Sequence, residues 1–418
     1  MKNSGIRHDG CLLIASAIGI LFLWCFVSLP AFAEPVKVQW DWEGGDGVDP
    51  NWSISENWDG GQVPLPGDNV YIQNGTYVNY DDNYDVTSGI ATLTIDNDSV
   101  LALLSESQTL TVGLGNPAGG SLIVGDTSTG TIGQEGGEVN INASSDGLVL
   151  GNQSGSEGNY YLGYGNLTVN GTEIIGKTGI GTFTQEGGTH TVETLIIGSN
   201  GIDSEGNPIS GTGTYEMQSG TLNAANVDNN GTFLFEGGSL NVFNEFVNTG
   251  LFQGKGDADT AVFINSGTVE IGDSPGELSF NGDYIQTSEG VLVIELGGYE
   301  SGMEFDFLNI DGSAELGGEL RITLWDGFIP ASGSQFDIMY VVNGILNDTI
   351  FNQYDLPLGW NWEIEYLNLF DDGDNINETV RLTANSVPVP ATFWLLGTGL
   401  IAFVGICRRV DGRINQPC

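Results

Sequence analysis

The sequence predicts an all-β protein: a parallel β-helix or β-solenoid with β caps at both ends, preceded by a signal helix and followed by one transmembrane helix. Three observations predict it. Glycine is abundant, 64 of 418 residues, and recurs in step with short runs of Val, Ile, Leu, Thr and Phe, a pattern of short strands between tight turns. No long segment carries the apolar period of an amphipathic helix. The middle of the chain also repeats itself in units too short to bury their own apolar faces, so consecutive units must stack.

Taken in order, the first element is residues 1–33. Lys2 and Arg7 precede an uncharged apolar run from Cys11 to Leu29, then Pro30 and Ala31-Phe32-Ala33. A charged start, an apolar segment and small residues two apart form the layout of a signal peptide. Cleavage is expected after Ala33, with Ala31 and Ala33 in the peptidase cleft and Glu34 as the new N-terminus. The run exceeds the usual ~7 to 15 residues, so an uncleaved anchor is the competing reading.

Residues 34–105 are expected to cap the stack. Trp40, Trp42, Trp52 and Trp58 lie in a segment rich in Asp and Asn. A solenoid needs its first coil covered, because an open end exposes strand edges and apolar side chains. The alternative role for these rings is a sugar-stacking platform. Residues 106–275 hold the repeats. Gly181 to Gly188 (GTFTQEGG) echoes Gly130 to Gly137 (GTIGQEGG), and more loosely Gly213 to Gly220 and Gly231 to Gly238. An apolar triplet closed by glycine also recurs, at Leu148-Val149-Leu150-Gly151, Glu173-Ile174-Ile175-Gly176 and Leu195-Ile196-Ile197-Gly198. The segments at Gly158 and Gly181 align with a step of 23 residues, and the other starts give steps between 18 and 32. Glycine is expected at the corners, where the backbone needs positive φ or close approach.

These repeat elements resemble, over about 200 residues, the passenger-type β-helix repeats of autotransporters and of many bacterial PEP-CTERM proteins. The block 276–386 similarly resembles the strands that close an autotransporter passenger. The resemblance implies a fold and no particular function. It also stops short of an autotransporter, whose membrane barrel needs many strands of ~9 to 11 residues. Fewer than 80 residues follow Val342.

The last element is 387–418. Val387-Pro388-Val389-Pro390-Ala391 leads into the uncharged run Ala391 to Cys407, followed by Arg408, Arg409 and Arg413. The 17 residues of that run span about 25 Å as a helix, the short end of a bilayer crossing. Pro390 suits the first helical position, and the Arg cluster places the C-terminus in the cytoplasm and the acidic middle outside the inner membrane. Short Pro motif, glycine-bearing apolar helix and Arg cluster resemble a PEP-CTERM sorting signal of the Val-Pro-x-Pro-Ala variant. The resemblance implies an exosortase-type transpeptidase that processes the tail near the Pro motif, in a Gram-negative bacterium that makes exopolysaccharide. Val389 stands where the commoner form has Glu, and ten residues follow Arg408. A plain single-pass anchor is the alternative.

Charge narrows the function classes. Between Glu34 and Ser386, five basic residues (Lys37, Lys177, Lys255, Arg321, Arg381) stand against 52 acidic ones, a formal balance of −47. Such a polyanion repels nucleic acid and anionic headgroups; it attracts divalent cations or basic partners, or simply stays soluble. All four cysteines lie in the end segments, so the middle has no disulfide.

Chemistry-bearing constellations are sparse. His190, the single His of the middle, sits in Thr189-His190-Thr191-Val192, where its neighbours suggest a solvent-facing position. No Cys is placed to act as nucleophile, and the all-β pattern offers no helix for Gly272 to Gly276 (GDSPG) to open as a nucleophile elbow or for Gly171 to Thr178 (GTEIIGKT) to open as a P-loop. A β-helix polysaccharide lyase would have to take its base from Lys177, Lys255, Arg321 or Arg381, none beside an evident acidic cluster in the repeats. The acidic stretches Asp81 to Asp85 and Asp371 to Asn375 lack EF-hand spacing and read as solvated loops. No catalytic residue, metal site or cofactor is expected. The expectation is an exported, non-catalytic structural or adhesive protein that is inner-membrane spanning in transit, then at the cell surface, outer membrane or outside the cell. Exopolysaccharide or other matrix components are its candidate partners, and a secreted polysaccharide-active lyase or hydrolase is the rival.

Overall fold

The structure, a computed structural model, describes residues 37–39, 49–81, 89–113, 120–202, 208–272, 275–345, 349–368 and 378–387. These residues are all-β apart from one short 3-10 turn, Ser55–Asn57. Their long parallel sheets are consistent with a β-solenoid. Neither the signal segment nor the expected transmembrane helix 391–407 lies among the described residues, within which no helix is long and apolar enough to cross a membrane.

The register shows how the repeats stack. In one sheet, Glu157–Leu162 pairs in parallel with Thr129–Gln134 of the previous coil and Ile180–Gln185 of the next, with Gly158 level with Gly130 and Gly181. The opposite sheet carries the longer strands. Thr109–Val112 and Leu122–Val124 are separate strands that pair with the two halves of Glu138–Leu150. That strand pairs in turn with Asn166–Ile175, which pairs with Thr189–Ile197. Register shifts near Gly171 mark a bend inside each long strand. Each coil therefore turns between two sheets and bends once more within the second.

The side-chain alternation follows. In Glu157–Leu162, every second residue is buried, as one-sided burial of a strand requires. Tyr160, Phe183, Tyr215, Phe233 and Phe252 occupy one inward row, and successive rings stack at 5.0, 4.8, 5.1 and 5.5 Å. These spacings track the ~4.7 to 4.9 Å separation of neighbouring strands. Gly176 shows why corners take glycine: its φ is +75°, and a Cβ there would lie 2.1 Å from the carbonyl oxygen of Thr212 in the next coil.

Both ends of the stack are covered. Trp52 and Trp58 are buried and meet edge to face at 4.7 Å, with Trp58 Nε1 donating to the Trp52 carbonyl at 2.8 Å. Trp52 also packs on Tyr80 of the first coils at 5.2 Å. Buried rings cannot stack on sugars, so the platform reading fails for these two; Trp40 and Trp42 lie outside the described residues. At the far end, Ser334–Val341 extends the parallel sheet from Phe307–Ile310 and then pairs antiparallel with Glu378–Ser386. Trp360–Asn368 adds a further antiparallel strand.

Candidate functional site

The coil register decides which polar residues face the core. Glu173 is level with Leu148 and Leu195, and His190 with Leu167 and Leu222. Both therefore point inward, and both are completely buried. This corrects the solvent-facing expectation for His190: its Thr flanks take the outward positions. Glu173 satisfies it, with Oε2 at 2.7 Å from Nε2.

The remaining bonds fix the protons. Gln185 Nε2 donates to the carbonyls of Gly188 and Thr221, so Gln185 Oε1 is left as acceptor for the Tyr215 hydroxyl at 2.6 Å. Tyr215 thus offers only a lone pair to His190 Nδ1, 3.0 Å away, and Nδ1 carries a hydrogen. One proton then lies between Nε2 and Oε2. Burial, and after it the Glu173 carboxyl, pushes the Tyr160 and Tyr215 hydroxyls well above their usual range. The chain of groups resembles a proton relay, yet its members are buried against Phe183, which stacks on His190 at 4.8 Å. A relay without access for a reactant is a device of the core.

Other buried polar side chains are also consumed by the stack. Asn229, Asn248 and Asn265 form an inward ladder, Asn229 Nδ2 donating to Asn248 Oδ1 at 2.8 Å and Asn248 Nδ2 to Asn265 Oδ1 at 2.9 Å. Asp306 accepts from the backbone N–H groups of Gly276 and Glu295 at 2.8 and 2.7 Å; burial raises its carboxyl to about 7 despite those bonds.

Lys177, Arg321 and Arg381 are tied to carboxylates. Lys177 meets Asp146 at 2.8 Å, Arg381 meets Asp337 at 2.6 Å, and Arg321 bridges Glu319 and Asp355 at 2.7 and 3.2 Å. In three of these four pairs the partner lies on a distant strand, beyond the reach of local sequence; Glu319, two residues from Arg321, is the exception. Lys255 lines a shallow groove with Glu236, Ser239, Asn241, Asp257 and Asp259. No group of three or more His, Cys, Asp or Glu among the described residues is placed to hold a metal ion. Asp81, from the first acidic stretch, accepts from Ser53 N and Oγ at 3.0 and 2.5 Å and braces the Trp cover. Residues 82–88 and 369–377, which hold the rest of both acidic stretches, lie outside the described residues.

The addresses lie at the ends of the chain. Val387 is exposed at the close of the last strand, whereas Pro388, Val389, Pro390, Ala391, Arg408 and Arg409 fall outside the described residues, as do Ala31, Ala33 and Glu34. A family model described as the PEP-CTERM protein-sorting motif matches residues 386–409. A comparison with curated proteins gives no match. The motif marks an exported protein directed to the cell envelope and sorted by an exosortase-type system.

Proposed function

We propose that the chain is a non-catalytic structural or adhesive component of the cell surface or extracellular matrix. Its acidic β-solenoid is a rigid body that works through its outer faces. The signal at 1–33 exports it, and an exosortase-type transpeptidase of the inner membrane processes the tail near Pro390. The observation that carries the reading is the sorting motif at 386–409 joined to a parallel stack whose buried His, Asn and Asp side chains serve the stack itself. The experiment is incubation of the protein, purified from the cells that make it, with the exopolysaccharide of those cells. Co-sedimentation without change in polymer length is expected; shortening of the polymer overturns the reading in favour of a lyase or hydrolase.

A further inference from the structure

Large apolar side chains are exposed together near the C-terminal end of the stack. Residues 297–306 connect Val291–Leu296 to Phe307–Ile310, and residues 325–333 connect Glu319–Leu324 to Ser334–Val341. These loops expose Tyr299 (54%), Met303 (76%), Trp325 (46%) and Ile329 (76%). A concentration of this kind marks an interaction site more often than scattered single residues do.

The two loops brace each other. Ala331 N donates to the Tyr299 hydroxyl at 3.0 Å, and Tyr299 meets Phe328 edge to face at 5.2 Å. Glu304 Oε2 accepts from the backbone N–H groups of Tyr299 and Glu300, and Trp325 N donates to the Leu296 carbonyl at 2.9 Å. Asp326 and Gly327, both at positive φ, form the turn that follows Trp325. Both aromatic side chains are therefore held on ordered backbone before any ligand arrives, which lowers the ordering cost of binding.

We infer that Tyr299 and Trp325 form a binding platform for a neutral, hydroxyl-rich glycan; this rests on the matrix role proposed above and names its contact. Charge excludes two occupants, and the exposed rings favour a third. The same loops carry exposed Glu300, Glu304 and Asp326 and no basic residue, so they offer hydrogen-bond acceptors and repel anionic polymers. A second copy of the chain, with net charge −44, is repelled for the same reason. A glycan supplies hydroxyl donors for the carboxylates and apolar C–H faces for the electron-rich ring faces.

The test is biolayer interferometry of the full-length protein on immobilised hydroxyethylcellulose (neutral), carboxymethylcellulose (anionic) and diethylaminoethyl-dextran (cationic). Each is measured at about 0.1 M and about 1 M salt. Binding to the neutral polymer at both salt concentrations is expected, weakened about tenfold by Trp325→Ala. Ile329→Glu, at a side chain with little packing to lose, is expected to weaken it as well. Three results overturn the inference: no binding to the neutral polymer, binding that both variants leave unchanged, or binding to the cationic polymer alone that high salt abolishes. Binding to the cells' own exopolysaccharide that survives Trp325→Ala would remove this platform and leave the matrix role standing.

Discussion

Glu173 and His190 occupy two positions that neighbouring coils fill with Leu. A buried hydrogen-bonded pair costs more to break than to replace, because removing one partner leaves the other's polar group unsatisfied in the core. His190→Leu should therefore lower stability by about 1 to 3 kcal/mol, whereas Glu173→Leu with His190→Leu should return close to the parent. Denaturant midpoints of the single and double variants decide this; a double variant as unstable as the single one would refute it. Asp306 gives a pH signature. Its folded carboxyl titrates near 7, above an ordinary value of 3.8, so the folded state holds the extra proton between these limits. Its contribution is fully present below about pH 4 and is lost as pH rises through about 7. Asp306→Asn should flatten that fall in a melting series from pH 4 to 8; an unchanged slope would exclude the assignment. The register that turns both side chains inward was present in the sequence: aligning the triplets sets Glu173 level with Leu148 and Leu195, and aligning Gly181 to Gly188 with Gly213 to Gly220 sets His190 level with Leu222. Local alternation misled because the two residues hydrogen-bond each other from 17 positions away.

At the scale of strands, the parallel stack was legible because glycine and apolar triplets return at each corner. The 23-residue step from Gly158 to Gly181 is the observed register. The bends inside the long strands were not legible, as they arise from register shifts without a fixed residue signature, between Val169 and Thr172 in one coil and Val242 and Glu245 in another. The Asn ladder left a signal in the spaced Asn-x-Gly triplets at Asn229, Asn248 and Asn265. Asn248 is its middle rung, and its side chain also donates to the Thr268 carbonyl at 3.0 Å. Asn248→Ala should cost about 1 to 3 kcal/mol for each group left unpaired in the core. Asn244→Ala, on the exposed face of the same strand, should stay within about 0.5 kcal/mol. Equal effects on the denaturant midpoint would show that the ladder adds nothing specific.

For the whole molecule, composition was more informative than any local motif. A formal charge of −47 over residues 34–386, the lack of cysteine there and a tail in three ordered parts pointed to an exported polyanion. The matched sorting motif agrees with export and with an exosortase-type system. The ectodomain ligand was not legible, because a binding platform such as Tyr299 and Trp325 is assembled from loops 26 residues apart that only the coil stack brings together. In the Trp-rich opening, for which a sugar platform is only the alternative expectation, Trp52 and Trp58 are buried in the cover of the first coil. Our central claim is that the C-terminal tail is an address removed after use. The most direct test is the C-terminal mass of the protein recovered from the cell envelope and medium. The account predicts a chain ending near Pro390, without residues up to Cys418; an intact tail ending at Cys418 would contradict it.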